Sequence, residues 1–141
     1  MASIKRRSLR RGTMAVEAAI LMPLIVFFTL FLLEYSWYFL KSEQIANAAR
    51  HGARVGARID ATDGDVQTAV ADLMNKAGIV SYPTPVITHG TMTMPSGKTQ
   101  DVVTVRIEVP FKDGDLDWFK TTFIWVPEHI RSSVTMAKES T

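Results

Sequence analysis

The chain has no cysteine among its 141 residues. That removes disulfides, Cys-ligated zinc or iron–sulfur sites and thiol nucleophiles at once. Acids are missing from the first 12 residues, which hold five of the 16 cations: Lys5, Arg6, Arg7, Arg10 and Arg11. Charge of either sign is missing again from the 16 residues between Glu17 and Glu34. The usual catalytic signatures are absent too: there is no P-loop, GxSxG or HExxH motif. The three histidines, His51, His89 and His129, match no metal-ligand spacing. Asp113, Asp115 and Asp117 begin like a calcium loop, but Trp118 stands where Gly is needed and Ile124 where Glu is needed. Asp60, Asp63 and Asp65 fail similarly, with Thr68 and Met74 at those positions. The expectation is a protein that is not an enzyme and holds no cofactor or metal.

What is present is uneven. Residues 18–40 hold 19 apolar side chains out of 23, far above the 47% of the whole chain. A helix over that stretch is roughly 35 Å long, enough to cross a hydrocarbon core of about 30 Å. Tyr35, Trp37 and Tyr38 gather at its far end, where amphipathic rings favour the headgroup region, and Lys41 follows. The cationic start marks the cytoplasmic side, which places the remainder outside. KRRSLRR directly before a span is a topology signal rather than a nucleic-acid patch, so no nucleic-acid partner is expected. A cleaved secretory signal fits less well. The apolar run exceeds the usual 7–15 residues, and Lys41 and Glu43 intervene before the Ala-x-Ala pattern Ala46-Asn47-Ala48. From Thr13 onward 14 acids face 11 bases, so the small net charge of +2 sums a basic leader and an acidic remainder.

Two carboxylates interrupt the apolar helix. An intramembrane acid costs on the order of 3 kcal/mol and normally faces a partner or water. Glu34 lies beside the aromatic cluster and can reach the interface. Glu17 lies at the inner end, five residues after Gly12. A basic leader ending in Gly, with Glu at the fifth position beyond, resembles the site cut by prepilin peptidases. Cutting after Gly12 frees an amino group on Thr13, able to pair with Glu17 of a neighbouring subunit in the low-dielectric layer. The plainer alternative is that Glu17 favours the positive end of the helix dipole.

The resemblance extends further. Ala15, Val16, Glu17, Ala19, Pro23, Glu34, Gln44, Ala48, Ala49, Arg50, Gly52, Ala53 and Arg54 match the pattern of the TadE-like family of minor pilins, or pseudopilins, of tight-adherence (Flp-type) pili. Ala18 and Tyr35 depart from it mildly. The similarity spans roughly residues 10–58. It implies leader removal by a prepilin peptidase, residence in the inner membrane with the N-terminus inside and the C-terminal domain periplasmic or extracellular, and a role in pilus assembly or initiation. The implied partners are that peptidase, other pilins or minor pilins, and the assembly platform. An alternative of another class is an uncleaved single-pass anchor carrying an extracytoplasmic binding module.

Downstream of the span, Arg50, Arg54 and Arg58 form a charged stripe beside a small-residue row of Ala49, Ala53 and Ala57. Gly52 and Gly56 each cost roughly 1 kcal/mol against Ala inside a helix. They imply a close backbone approach, either to the chain's own domain or to a neighbouring helix. Glu17, Pro23, Glu34, Gly52 and Gly56 are therefore the candidate packing positions, and Gly12, Thr13 and Glu17 the candidate processing site. Pro23 removes an amide donor and is expected to loosen or kink the helix.

Beyond it, Ala61–Asp65 reads as a turn with Asp65 as N-cap, and Val66, Ala69, Val70, Leu73, Met74 and Ala77 follow helical spacing until Gly78. Val86–Met94, Asp101–Phe111, Phe123–Val126 and Ile130–Ala137 read as strands. The predicted fold is α+β: a basic leader (1–12), a long transmembrane and stalk helix (13–58), and an outer domain (59–141) with a small antiparallel sheet and one further helix.

Overall fold

The structure is a computed structural model that describes residues 5–95, 97–111, 116 and 127–139, with side chains described from Gly12 onward. The expected strand Phe123–Val126, the acidic loop with Asp113, Asp115 and Asp117, and the aromatic runs around Trp118 and Trp125 lie outside the described residues. The elements are α1 (Lys5–Gly56), α2 (Asp63–Lys76), β1 (Val86–Thr93), β2 (Thr99–Pro110) and β3 (His129–Ala137). This is the α+β class read from the sequence. By contacts the chain divides into two units, Met1–Ser36 and Trp37–Thr141.

Among the described residues the first unit is helix alone, running from Lys5 through Gly12, Thr13 and Pro23 without interruption. From Gly12 to Leu33 every residue is exposed, and almost all are apolar. A helix so long, apolar and uncovered is one able to span a membrane. Two of its hydroxyls bond within the helix. Thr29 Oγ1 donates to the Ile25 carbonyl at 2.8 Å, and Ser36 Oγ to the Leu32 carbonyl at 2.7 Å. Each donor is thereby satisfied without water, as a hydrocarbon surrounding requires.

In the second unit the Trp37–Gly56 part of α1 packs against α2 and the sheet. The sheet has three antiparallel strands in the order β1-β2-β3. Strand alternation explains the core: Val103, Val105, Ile107 and Val109 of β2 are all buried, while Thr104, Arg106 and Glu108 between them turn the other way. Ile45, Ala48, Ala49 and Ala53 of α1 and Val66, Val70 and Met74 of α2 complete it.

Local signals shape the ends of α2. The N-cap is Thr62, not the expected Asp65, and the two form a capping box: Asp65 N–H donates to Thr62 Oγ1 at 3.3 Å and Thr62 N–H to Asp65 Oδ2 at 3.0 Å. Asp65 occupies the third helical position, where its carboxylate reaches back to the cap. At the other end Gly78 takes a φ of 70°, the left-handed conformation that glycine adopts without a Cβ clash. Ile79 N–H then bonds Met74 O at 2.9 Å and Gly78 N–H bonds Asn75 O at 3.0 Å, closing the helix in a Schellman arrangement. The end of α1 is closed from a distance: Glu139 N–H donates to the Ala57 carbonyl at 2.8 Å.

Candidate functional site

Gly12, Thr13 and Glu17 lie on consecutive turns of α1, all exposed. A Cβ added at Gly12 would meet nothing within 4 Å. Its φ is not positive, so neither packing nor backbone conformation asks for glycine there. Glycine inside a helix costs roughly 1 kcal/mol against Ala. Glu17 carries a carboxylate on an otherwise apolar, uncovered stretch. Pro23 is equally exposed and is accepted within the helix. Glu34 differs from Glu17: only 2% of it is exposed.

Gly52 and Gly56 occupy a different environment from Gly12. A Cβ on Gly52 would stand 2.5 Å from Val70 Cγ2, and one on Gly56 would stand 3.0 Å from Val66 Cγ2 and 3.2 Å from Val103 Cγ2. The close approach is to α2 and β2 of the same chain. Arg50, Arg54 and Arg58 face solvent, with Arg50 Nη1 3.2 Å from Glu43 Oε1. Within α1, Gly52 and Gly56 lie on the packed side and Arg50 and Arg54 on the exposed side.

Lys41 is a feature that sequence reasoning passed over except as a boundary marker. It is 6% exposed. Its Nζ donates to the Ala77 carbonyl at the C-cap of α2 at 2.7 Å and lies 4.7 Å from the centroid of the Trp37 ring. A cation there meets the negative end of the α2 dipole and an aromatic face together. On the same turns Trp37 Nε1 donates to the Leu116 carbonyl at 2.7 Å, and the Tyr38 ring meets Phe111 edge-on at 5.2 Å. Nothing in the sequence points across the 36 residues from Lys41 to Ala77.

Among the described residues the titratable groups form separate surface contacts. His89 Nε2 lies 2.8 Å from Asp63 Oδ1, and Glu108 lies between His129 and Arg131, at 3.7 and 3.0 Å. Hydrogen bonds from the Thr62 hydroxyl and backbone hold the Asp65 carboxyl below its ordinary pKa, while burial raises that of the Tyr82 phenol. Among the described residues no three His, Cys, Asp or Glu side chains gather as metal ligands. A polar cleft at the end of α1 sets Arg58 among Asp60, Asp65 and Glu139, with no nucleophile–base pair in its lining.

A helix able to span a membrane, followed by a small α+β head, is the layout of a single-pass membrane protein. Residues 12–54 match the family model described as TadE-like protein, so this part of α1 is similar to that family. The match begins at Gly12 and stops at Arg54, before α2 and the sheet. Comparison with curated proteins and with solved structures finds no match.

Proposed function

We propose that the protein is a minor pilin or pseudopilin that acts in the assembly or initiation of a tight-adherence pilus, and that its role is not catalytic. The helix enters the inner membrane with its cationic start in the cytoplasm, is cut after Gly12 by a prepilin peptidase, and holds the head on the outer side. Partners are other pilins of the same system and the assembly platform. The observation that carries this reading is the pairing of Gly12 with Glu17. Gly12 is a helical glycine that no packing contact explains, and five residues on stands an exposed acid at the mouth of an apolar span, inside the TadE-like segment. A peptidase that needs a small residue at the cut, and a subunit contact that needs an acid at a set depth, account for both.

Intact mass of the membrane-extracted protein tests it. In cells with active prepilin peptidase the chain should begin at Thr13, and in cells lacking the peptidase it should retain residues 1–12. A retained leader in both strains supports the uncleaved anchor instead, for which the unbroken helical backbone through Gly12 is the favouring observation.

A further inference from the structure

The cut proposed after Gly12 falls inside a helix. Helical backbone covers Lys5 through Gly12 and continues past Thr13, whereas proteolysis of a folded chain proceeds through locally opened states. The first two turns of α1 are weakly made. No acid stands in the first turn, and the sequence sets Lys5, Arg6, Arg7, Arg10 and Arg11 toward the positive end of the helix dipole. Arg6 and Arg10, like Arg7 and Arg11, are four apart, a spacing at which like charges disfavour a helix. Ser8, Gly12 and Thr13 are weak helix formers. A Cβ on Gly12 would meet nothing within 4 Å, so no packing holds the helix closed at that residue.

A second helix start is written just beyond. Thr13 is of a residue type that caps helix N-termini, Glu17 falls in the first turn after it, and the apolar run follows. With residues 5–12 unwound, the Thr13 hydroxyl can accept a hydrogen bond from the freed amide of Ala15 or Val16. Glu17 then stands at the positive end of the shortened helix, where an acid is favoured. From Met14 to Leu33 the chain carries no charge apart from Glu17. Opening beyond Thr13 would strip hydrogen bonds from backbone in hydrocarbon, so the unwinding stops there. That last step takes the apolar run to lie in a membrane, a premise shared with the proposed function.

We propose that α1 has two alternative N-terminal ends, Lys5 in a closed form and Thr13 in an opened form, and that the prepilin peptidase cuts only the opened one. The proposal deepens the processing reading and rests on it. Water adds across the Gly12–Thr13 amide, leaving a carboxylate on Gly12 and an amine on Thr13. Because the closed form is not cut, the rate scales with the opened population. Helix propensity in the leader and the cap at Thr13 set that population from its two sides.

The test follows, by intact mass, the cutting of the full-length chain in phosphatidylcholine vesicles by purified prepilin peptidase. Arg10→Gly and Arg10→Ala remove the same charge and differ in helix propensity. Leu9→Gly and Leu9→Ala likewise remove the same apolar side chain. At both positions the glycine variant should be cut faster than the alanine variant, by up to about fivefold. Thr13→Val removes the capping oxygen at nearly constant shape and should slow cutting several-fold, while Thr13→Ser should be cut like the parent. Adding Arg10→Gly to Thr13→Val should recover part of the loss. Equal rates for the glycine and alanine variants, with the parent cut, would overturn the opening and leave the processing site standing. A Thr13→Val defect that Arg10→Gly does not lift would mean that the peptidase reads Thr13 directly, which overturns the cap. A parent chain left whole by a peptidase that cuts another prepilin would remove the processing reading, and the opening with it.

Discussion

A Cβ built on Gly52 would stand 2.5 Å from Cγ2 of Val70, a distance that real side chains do not tolerate. Both atoms belong to packed elements, and a valine methyl has no free rotamer to escape into. Gly52→Ala should therefore destabilise the head by about 1–3 kcal/mol through overpacking, reduced by the roughly 1 kcal/mol that alanine gains in helix propensity. Gly56→Ala, whose new methyl would meet neighbours at 3.0 and 3.2 Å, should cost less. Denaturant unfolding of the detergent-solubilised chain, followed by tryptophan fluorescence, checks the order. A Gly52→Ala chain as stable as the parent but unable to assemble would shift the reason for the glycine to a contact between subunits.

Lys41 gives a second expectation. Its ammonium is nearly buried, on the Ala77 carbonyl and the Trp37 ring. A hydrogen bond to a charged group is worth about 1.5–3 kcal/mol net. Lys41→Met keeps most of the aliphatic stem and removes the donor, so the loss should concentrate at the end of α2. Hydrogen exchange should quicken at Ala77, Gly78 and Ile79, with the amides near Val66 little changed. Uniform quickening along α2 would mean that Lys41 supports packing generally and not that helix end.

The capping box ties α2 to pH. Asp65 has a lowered pKa, first because the Thr62 hydroxyl donates to it and then because the Thr62 amide does. For an acid whose folded pKa is depressed, the stabilisation is fully present above the unfolded value of about 3.9 and is lost as pH falls through the folded value. The first turn of α2 should hold at neutral pH and loosen below about pH 4. Amide exchange at Asp65 and Val66 measures this, and Asp65→Asn should flatten the profile. Thr62→Ala should cost about 1 kcal/mol at neutral pH, the usual worth of an N-cap.

The parts of this molecule that were legible in the sequence are those governed by local rules. The uncharged run from Ala18 to Leu33, the alternation of Val103, Val105, Ile107 and Val109, and the stop at Gly78 each declare their element through spacing and residue type. Thr62 and Asp65 can each cap a helix, and only the geometry shows which oxygen meets which amide. Gly52 and Gly56 announced a close approach, yet their neighbours Val70, Val66 and Val103 come from distant segments whose placement no local spacing encodes. The Lys41 contact was hidden for the same reason. A lysine after an apolar run reads as a boundary marker, and its carbonyl partner lies on another helix.

Glu17 bears the sharpest functional expectation. It stands exposed on an apolar helix, at a cost in hydrocarbon on the order of 3 kcal/mol. Glu17→Ala removes that cost at an exposed position, so insertion and head stability should be unchanged or slightly improved. If the carboxylate pairs with the Thr13 amine of a neighbouring subunit, the same change should cut pilus assembly severely. Glu17→Gln, which keeps the shape and loses the charge, should fail nearly as badly, whereas Glu17→Asp should retain part of the function. Counting pili by electron microscopy, with membrane fractionation to verify insertion, separates these outcomes. Normal piliation with Glu17→Gln would mean that no ion pair forms there.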